Sequence, residues 1–193
     1  MKGCLMQGRT MGNGVLHRGA IFLVLILAAF GVAPAAAANA GLACFYGQLR
    51  SKAHDKYYVS VELDYTGSSY GMLRARSFDG KGEWEQLEMC RLGGNKVAFH
   101  STANGKYVSA ERDYVGTNMG MLRARATSIG DWETFYEECN APGADDWCAY
   151  KSKATGYYVS AEIQNTGSNY GMLRARGISI ADWEMFHYYY GKP

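Results

Sequence analysis

The chain lacks most of the signatures that mark catalysis. It has no HExxH and no phosphate-cradling glycine loop, which leaves the zinc-protease and nucleotide-hydrolysing classes without support. No CxxC spacing occurs, and His54, His100 and His187 are scattered. That is a poor set for a zinc centre, so neither metal nor cofactor is expected. Beyond residue 40 no long apolar stretch has helical period and caps, so helices are not expected there. No basic stripe marks a nucleic-acid surface.

The first forty residues stand apart. Lys2, Arg9 and Arg18 form a basic start, residues 20–30 (AIFLVLILAAF) an unbroken apolar run, and Ala38-Asn39-Ala40 a small-x-small end. This is the pattern of a signal peptide over 1–40, and it predicts a secreted protein with no membrane segment once cleaved. A retained anchor is the alternative, and Pro34 and the alanine-rich end speak against it. All three charged residues of the leader are basic. Without them 17 Lys+Arg face 18 Asp+Glu, and the net charge falls from +2 to about −1. Four of the five cysteines remain, Cys44, Cys90, Cys139 and Cys148. An even number in an exported chain reads as two disulfides, with three pairings open. Cys139 and Cys148 bracket a short Pro/Gly/Asp loop and suit a hairpin bridge, which would leave Cys44 for Cys90.

What the chain has is repetition. YYVSVE at 57–62 returns as KYVSAE at 106–111 and YYVSAE at 157–162. GMLRAR occurs unchanged at 71–76, 120–125 and 171–176, and EWEQL, DWETF and DWEMF follow at 83–87, 131–135 and 182–186. Equivalent tyrosines (Tyr58, Tyr107, Tyr158) are 49 and 51 residues apart. Three units therefore cover about 44–92, 93–142 and 143–193, within one domain over 41–193. Each reads as four short strands. In the second unit these are 97–101, 106–111, 121–126 and 132–139, separated by Gly/Asn/Asp turns. Twelve strands in three units are too few for a usual propeller, and an open stack would leave bare edges. Closure around a threefold axis removes the edges. The expected fold is all-β, a β-trefoil, and a monomer is expected.

Each unit carries a Trp at the same place in the repeat: Trp84, Trp132 and Trp183. Three residues on stands Leu87, Phe135 or Phe186. On a strand, positions three apart face opposite ways. If the Leu or Phe enters the core, the Trp faces out, where a flat indole suits the apolar face of a sugar ring. Glu85, Glu133 and Glu184 follow each Trp. They read either as acceptors for sugar hydroxyls or as ties for backbone N–H groups. The pairs Arg74/Arg76, Arg123/Arg125 and Arg174/Arg176 are expected to face outward. There they would pair with Glu62, Glu111 and Glu162, each pair worth under about 1 kcal/mol. Gly67/Gly71, Gly116/Gly120 and Gly167/Gly171 read as turn residues with positive φ. A catalytic dyad needs building once, whereas these acids recur three times. That favours multivalent binding over catalysis.

The stretch GGNKVAFHSTANGKYVSAE (93–111) with LRARATSIGDWETF (122–135) resembles the fascin/hisactophilin type of trefoil, and the likeness extends over all three units. The resemblance implies the trefoil fold. It also implies either actin bundling, as in fascins, or service beside secreted polysaccharide-active proteins. Fascins carry four trefoils and no signal peptide, and hisactophilin is rich in His, so this chain departs from both. The QxW motif of ricin-type trefoils is absent. The expected function is secreted, non-catalytic binding of a polysaccharide or glycan of glucan type through up to three equivalent sites. The alternative is a fascin-like protein-binding or cross-linking module, with actin as partner by analogy.

Overall fold

The computed structural model describes residues 42–54, 57–140 and 146–191. The expected leader therefore lies outside the described residues. Twelve strands follow in order: β1 (Ala43–Ser51), β2 (Tyr58–Glu62), β3 (Met72–Ser77), β4 (Leu87–Gly93), β5 (Lys96–Ser101), β6 (Lys106–Ala110), β7 (Leu122–Ala126), β8 (Phe135–Cys139), β9 (Cys148–Ser152), β10 (Tyr158–Glu162), β11 (Met172–Gly177) and β12 (Met185–Tyr190). The first and fourth strands of each repeat pair antiparallel in a closed ring, β1–β4–β5–β8–β9–β12 and back to β1. Closure removes the free edges from the barrel. The middle hairpins β2–β3, β6–β7 and β10–β11 form a triangular cap. This is the β-trefoil.

Alternation along the strands fills the barrel. Val59, Val108 and Val159, Leu73, Leu122 and Leu173, and Leu87, Phe135 and Phe186 all belong to one buried cluster with Leu49, Phe99 and Tyr150. Met72, Met121 and Met172 form a separate buried cluster in the cap.

The cap is closed by a ring of backbone bonds. Ala75 N–H donates to Gly171 O, Ala124 N–H to Gly71 O and Ala175 N–H to Gly120 O, each at 2.7 Å. The three glycines have φ of 71–74°, a conformation that side-chain-bearing residues avoid. A Cβ at Gly120 would also lie 2.7 Å from the Ala175 carbonyl. Glycine is thus required there for both backbone shape and space.

The arginines differ from the expectation. Only the second of each pair is half-exposed: Arg76, Arg125 and Arg176 grip Glu62, Glu111 and Glu162 through Nε and Nη2. The first is buried and crosses into another repeat. Arg74 Nε donates to Tyr170 O (2.7 Å), Arg123 Nε to Tyr70 O (2.8 Å), and Arg174 Nη1 to Thr117 O. Both arginines do leave the core face, but the neighbouring repeat covers the first. Glu62, Glu111 and Glu162 are buried too, so these pairs are not surface ion pairs.

The fourth strand of the second repeat starts at Phe135, not at residue 132. Residues 131–133 form a turn. The equivalent residues Glu83–Glu85 and Asp182–Glu184 are short 3-10 turns. Cys44 faces Cys90 across β1 and β4, and Cys139 faces Cys148 across β8 and β9. Both pairs are disulfide-bonded. Among the described residues no helix is long and apolar enough to cross a membrane.

Candidate functional site at the seams between repeats

Where the fourth strand of one repeat meets the first strand of the next, the barrel has three seams: β4/β5, β8/β9 and β12/β1. The Trp turn precedes each fourth strand and is stitched to the following repeat. Thr102 N–H donates to Gln86 O, Lys153 N–H to Thr134 O and Lys52 N–H to Met185 O, at 2.9–3.2 Å.

Leu87, Phe135 and Phe186 are fully buried, as parity required. Trp84, Trp132 and Trp183 are each half-buried. They do not simply point outward, because a turn does not alternate as a strand does. The Trp132 ring has the Arg112 guanidinium 5.8 Å from its centroid.

Glu85, Glu133 and Glu184 are only 7–8% exposed, and they serve the turn itself. Glu133 Oε2 accepts the Gly130 N–H (2.8 Å), and its Oε1 accepts the Ser109 hydroxyl (2.6 Å). Glu184 Oε2 accepts the Ala181 N–H (3.0 Å). Glu85 packs so close to Gly82 that a Cβ there would lie 2.4 Å from its Oε2. Glu133 and Glu184 thus tie down backbone N–H groups of their own turns, the second of the two roles the sequence offers for these residues.

The exposed acids are the residues before each Trp: Glu83, Asp131 and Asp182. Two have a lysine across the seam, Asp131 with Lys153 (2.7 Å) and Asp182 with Lys52 (3.0 Å). In the remaining seam Thr102 stands where the lysines stand. Each seam thus combines a half-buried Trp, an exposed carboxylate and, in two of three, an ammonium group.

The repeats are not identical at this surface. The second has a polar recess of about 320 Å³ lined by Ser109, Arg125, Thr127, Ser128 and Glu133. Phe78 and Ile178 occupy the position of Thr127 in the other repeats and are 72% and 86% exposed. The β12/β1 seam has a larger recess of about 490 Å³ that includes Trp147, a residue outside the repeating pattern. The sequence signal for it was available: Trp147 is the one indole that the repeat does not account for.

Donor atoms of Glu137, Cys139 and Cys148 converge within 4.8 Å. The sulfurs are bonded to each other, however, and Glu137 pairs with Arg91, so the group presents no thiolate to a metal.

Fold and seams together define a single β-trefoil with one indole-bearing turn per repeat. Solved structures agree on the fold. The chain is similar to the designed threefold-symmetric protein ThreeFoil (17% identity over 74% of this chain and 96% of that one, TM-score 0.59). It is also similar to a Caenorhabditis elegans protein of unknown function (13%, 77% and 95%, TM-score 0.61). A third is a Polyporus squamosus lectin bound to a human-type influenza-binding epitope (12%, 75% and 48%, TM-score 0.56). At these identities the likeness is one of fold. No protein-family model matches the chain, and no curated protein matches it in sequence.

Proposed function

We propose that the protein is an exported, non-catalytic carbohydrate-binding trefoil whose sites are the three seams. One observation carries this reading. In each repeat a half-buried Trp stands between an exposed acid and a buried carboxylate, three times over, and in two of the three that carboxylate ties down a backbone N–H of the turn. A pyranose offers an apolar CH face and a rim of hydroxyls; an indole edge with a neighbouring carboxylate meets both. The lectin among the structural relatives is bound to a glycan epitope, which supports the class. Two disulfides suit an oxidising compartment and so support export. Three weak sites on one rigid body would act together on a polymer. A glucan-type polysaccharide fits sites that combine a flat apolar face with few charges.

The test is retention on insoluble glucan. Each single Trp→Ala change at 84, 132 or 183 is expected to weaken retention by more than a third, and the triple variant to abolish it. Unchanged retention in folded variants would refute the site assignment. A second reading, protein cross-linking of the fascin kind, is favoured by the exposed apolar side chains Phe78, Val115 and Ile178. Co-sedimentation with actin filaments tests it directly.

A further inference from the structure

The three seams are not electrostatically equal. At β4/β5 the outer face pairs His100 with Glu88 at 2.9 Å. At β8/β9, Lys151 lies opposite Tyr136 and packs over Tyr158. At β12/β1 the opposed residues are Arg50 and His187, with Lys52 and His54 close by in the chain. Among the described residues, Asp182 is the one acid lining the recess there.

Trp147 organises this group. The Phe186–Cys148 pairing brings Trp147 beside His187, with ring centroids 5.8 Å apart. The Arg50 guanidinium lies 5.4 Å from the Trp147 centroid and 4.9 Å from that of Tyr189, and Lys52 Nζ lies 5.9 Å from Trp147. Aromatic faces steady cations without consuming their N–H donors. The ring contacts therefore leave the Arg50 fork free to meet an acceptor. Nε of Arg50 and Nδ1 of His54 are also buried atoms with no hydrogen-bond partner among the described residues. Buried polar atoms of this kind call for a partner.

We infer that the β12/β1 seam is a distinct site for an anionic saccharide, whose carboxylate or sulfate is taken by Arg50 and Lys52 on the Trp147 shelf. The inference deepens the carbohydrate reading and rests on it. A planar carboxylate suits the guanidinium fork, and a sulfate oxygen suits it equally. Asp182 holds Lys52 in place and repels a second anion, which limits the site to one charged group.

Affinity electrophoresis of the exported protein through polygalacturonate, dextran sulfate or neutral soluble glucan tests this. The wild type is expected to be retarded by at least one anionic polymer. Arg50→Gln/Lys52→Gln is expected to lose that affinity at least tenfold, with a smaller loss of neutral-glucan retardation, which the β4/β5 and β8/β9 seams still carry. Lys52→Gln alone, at a half-exposed position, is expected to lose part of the affinity, and it serves if the double variant fails to fold. Lys81→Gln/Lys106→Gln, which removes the same charge away from the seam, is expected to change nothing. Polygalacturonate retardation alone identifies a carboxylate, and dextran sulfate alone a sulfate. Equal loss in the remote-charge control, or unchanged anionic retardation in the seam variants, overturns the inference. Loss of neutral binding in the triple Trp84/Trp132/Trp183 variant, with anionic binding retained, supports two separate sites. If neutral binding is absent in the wild type while the seam variants still lose anionic binding, the three-seam glucan reading fails and this one stands.

Discussion

Arg123 and Arg125 are two residues apart in an identical hexapeptide, yet the fold uses them differently. Arg125 closes a two-pronged bond on buried Glu111, while Arg123 bonds the carbonyls of Gly67 and Tyr70 in another repeat. Removing Arg125 strands a buried carboxylate, so Arg125→Met is expected to cost about 3 kcal/mol in urea denaturation at pH 7. Adding Glu111→Gln should restore most of it. The glutamates themselves differ by repeat. In the first two repeats Tyr65 and Tyr114 accept from the buried arginine. In the third, Asn165 stands there, and Arg174 Nε turns to within 3.3 Å of Glu162. Burial pushes the Glu162 carboxyl up, but the combined hydrogen bonds and charges of Arg176 and Arg174 outweigh it and hold the group below its ordinary value. At Glu111 burial dominates, and the pull of Arg125 with Arg123 leaves the group raised. The signs are therefore opposite. Glu162 contributes stability above its unfolded pKa of about 4.3, lost as pH falls through the folded value. Ionised Glu111 costs stability above its folded pKa, and acid relieves that cost. Urea denaturation should show Glu162→Gln more damaging than Glu111→Gln at pH 7, with the gap closing below about pH 4. The sequence puts each second arginine and its carboxylate on one hairpin, but the register sets Glu62 opposite Met72, so Arg76 reaches back to it from the bulge beside Tyr58. The sequence does not show that the first arginine is buried, because what covers it comes from a repeat about fifty residues away.

At the scale of elements, the strands and their hairpins were readable because alternation and glycine punctuation repeat three times. The Trp turn was not. EWE and DWE read as the start of a strand until the following carboxylate is seen to fold back onto backbone N–H groups, a local competition that strand patterns do not encode. Glu133→Ala should therefore loosen the turn. A red shift of Trp132 emission with little change in β-sheet circular dichroism is the expected result. The cap offers a sharper contrast. Gly116 (φ 62°) has open space where a Cβ would go, whereas Gly120 (φ 72°) would meet the Ala175 carbonyl. Gly116→Ala is expected to cost about 1 kcal/mol, the backbone penalty alone. Gly120→Ala should cost at least twice that, because the Ala175–Gly120 bond must also yield. Equal losses in thermal denaturation would contradict a backbone ring closing the cap.

For the whole molecule, threefold closure was the most legible property, since three ordered blocks leave few ways to bury every edge. The disulfide pairing followed for Cys139 and Cys148 from their short loop, and for Cys44 and Cys90 by remainder. The two bridges restrain the unfolded chain unequally, spanning 46 and 9 residues. On chain-entropy grounds Cys44→Ala/Cys90→Ala should cost about 4 kcal/mol and Cys139→Ala/Cys148→Ala about 2.5 kcal/mol. Guanidinium titration of the two double variants checks the order. The asymmetry of the β12/β1 seam was not legible. Lys52, Trp147 and Asp182 come from three distant points, and only the closed barrel brings them to one recess.

The central claim is that three half-buried indoles at the repeat seams receive a saccharide. The indole Nε1–H resonances of the ¹⁵N-labelled protein, followed while a soluble glucan oligosaccharide is added, test it most directly. The signals of Trp84, Trp132 and Trp183 should move together, each saturating, while Trp147 stays still. Stationary seam indoles at a ligand concentration that does bind the protein would contradict it.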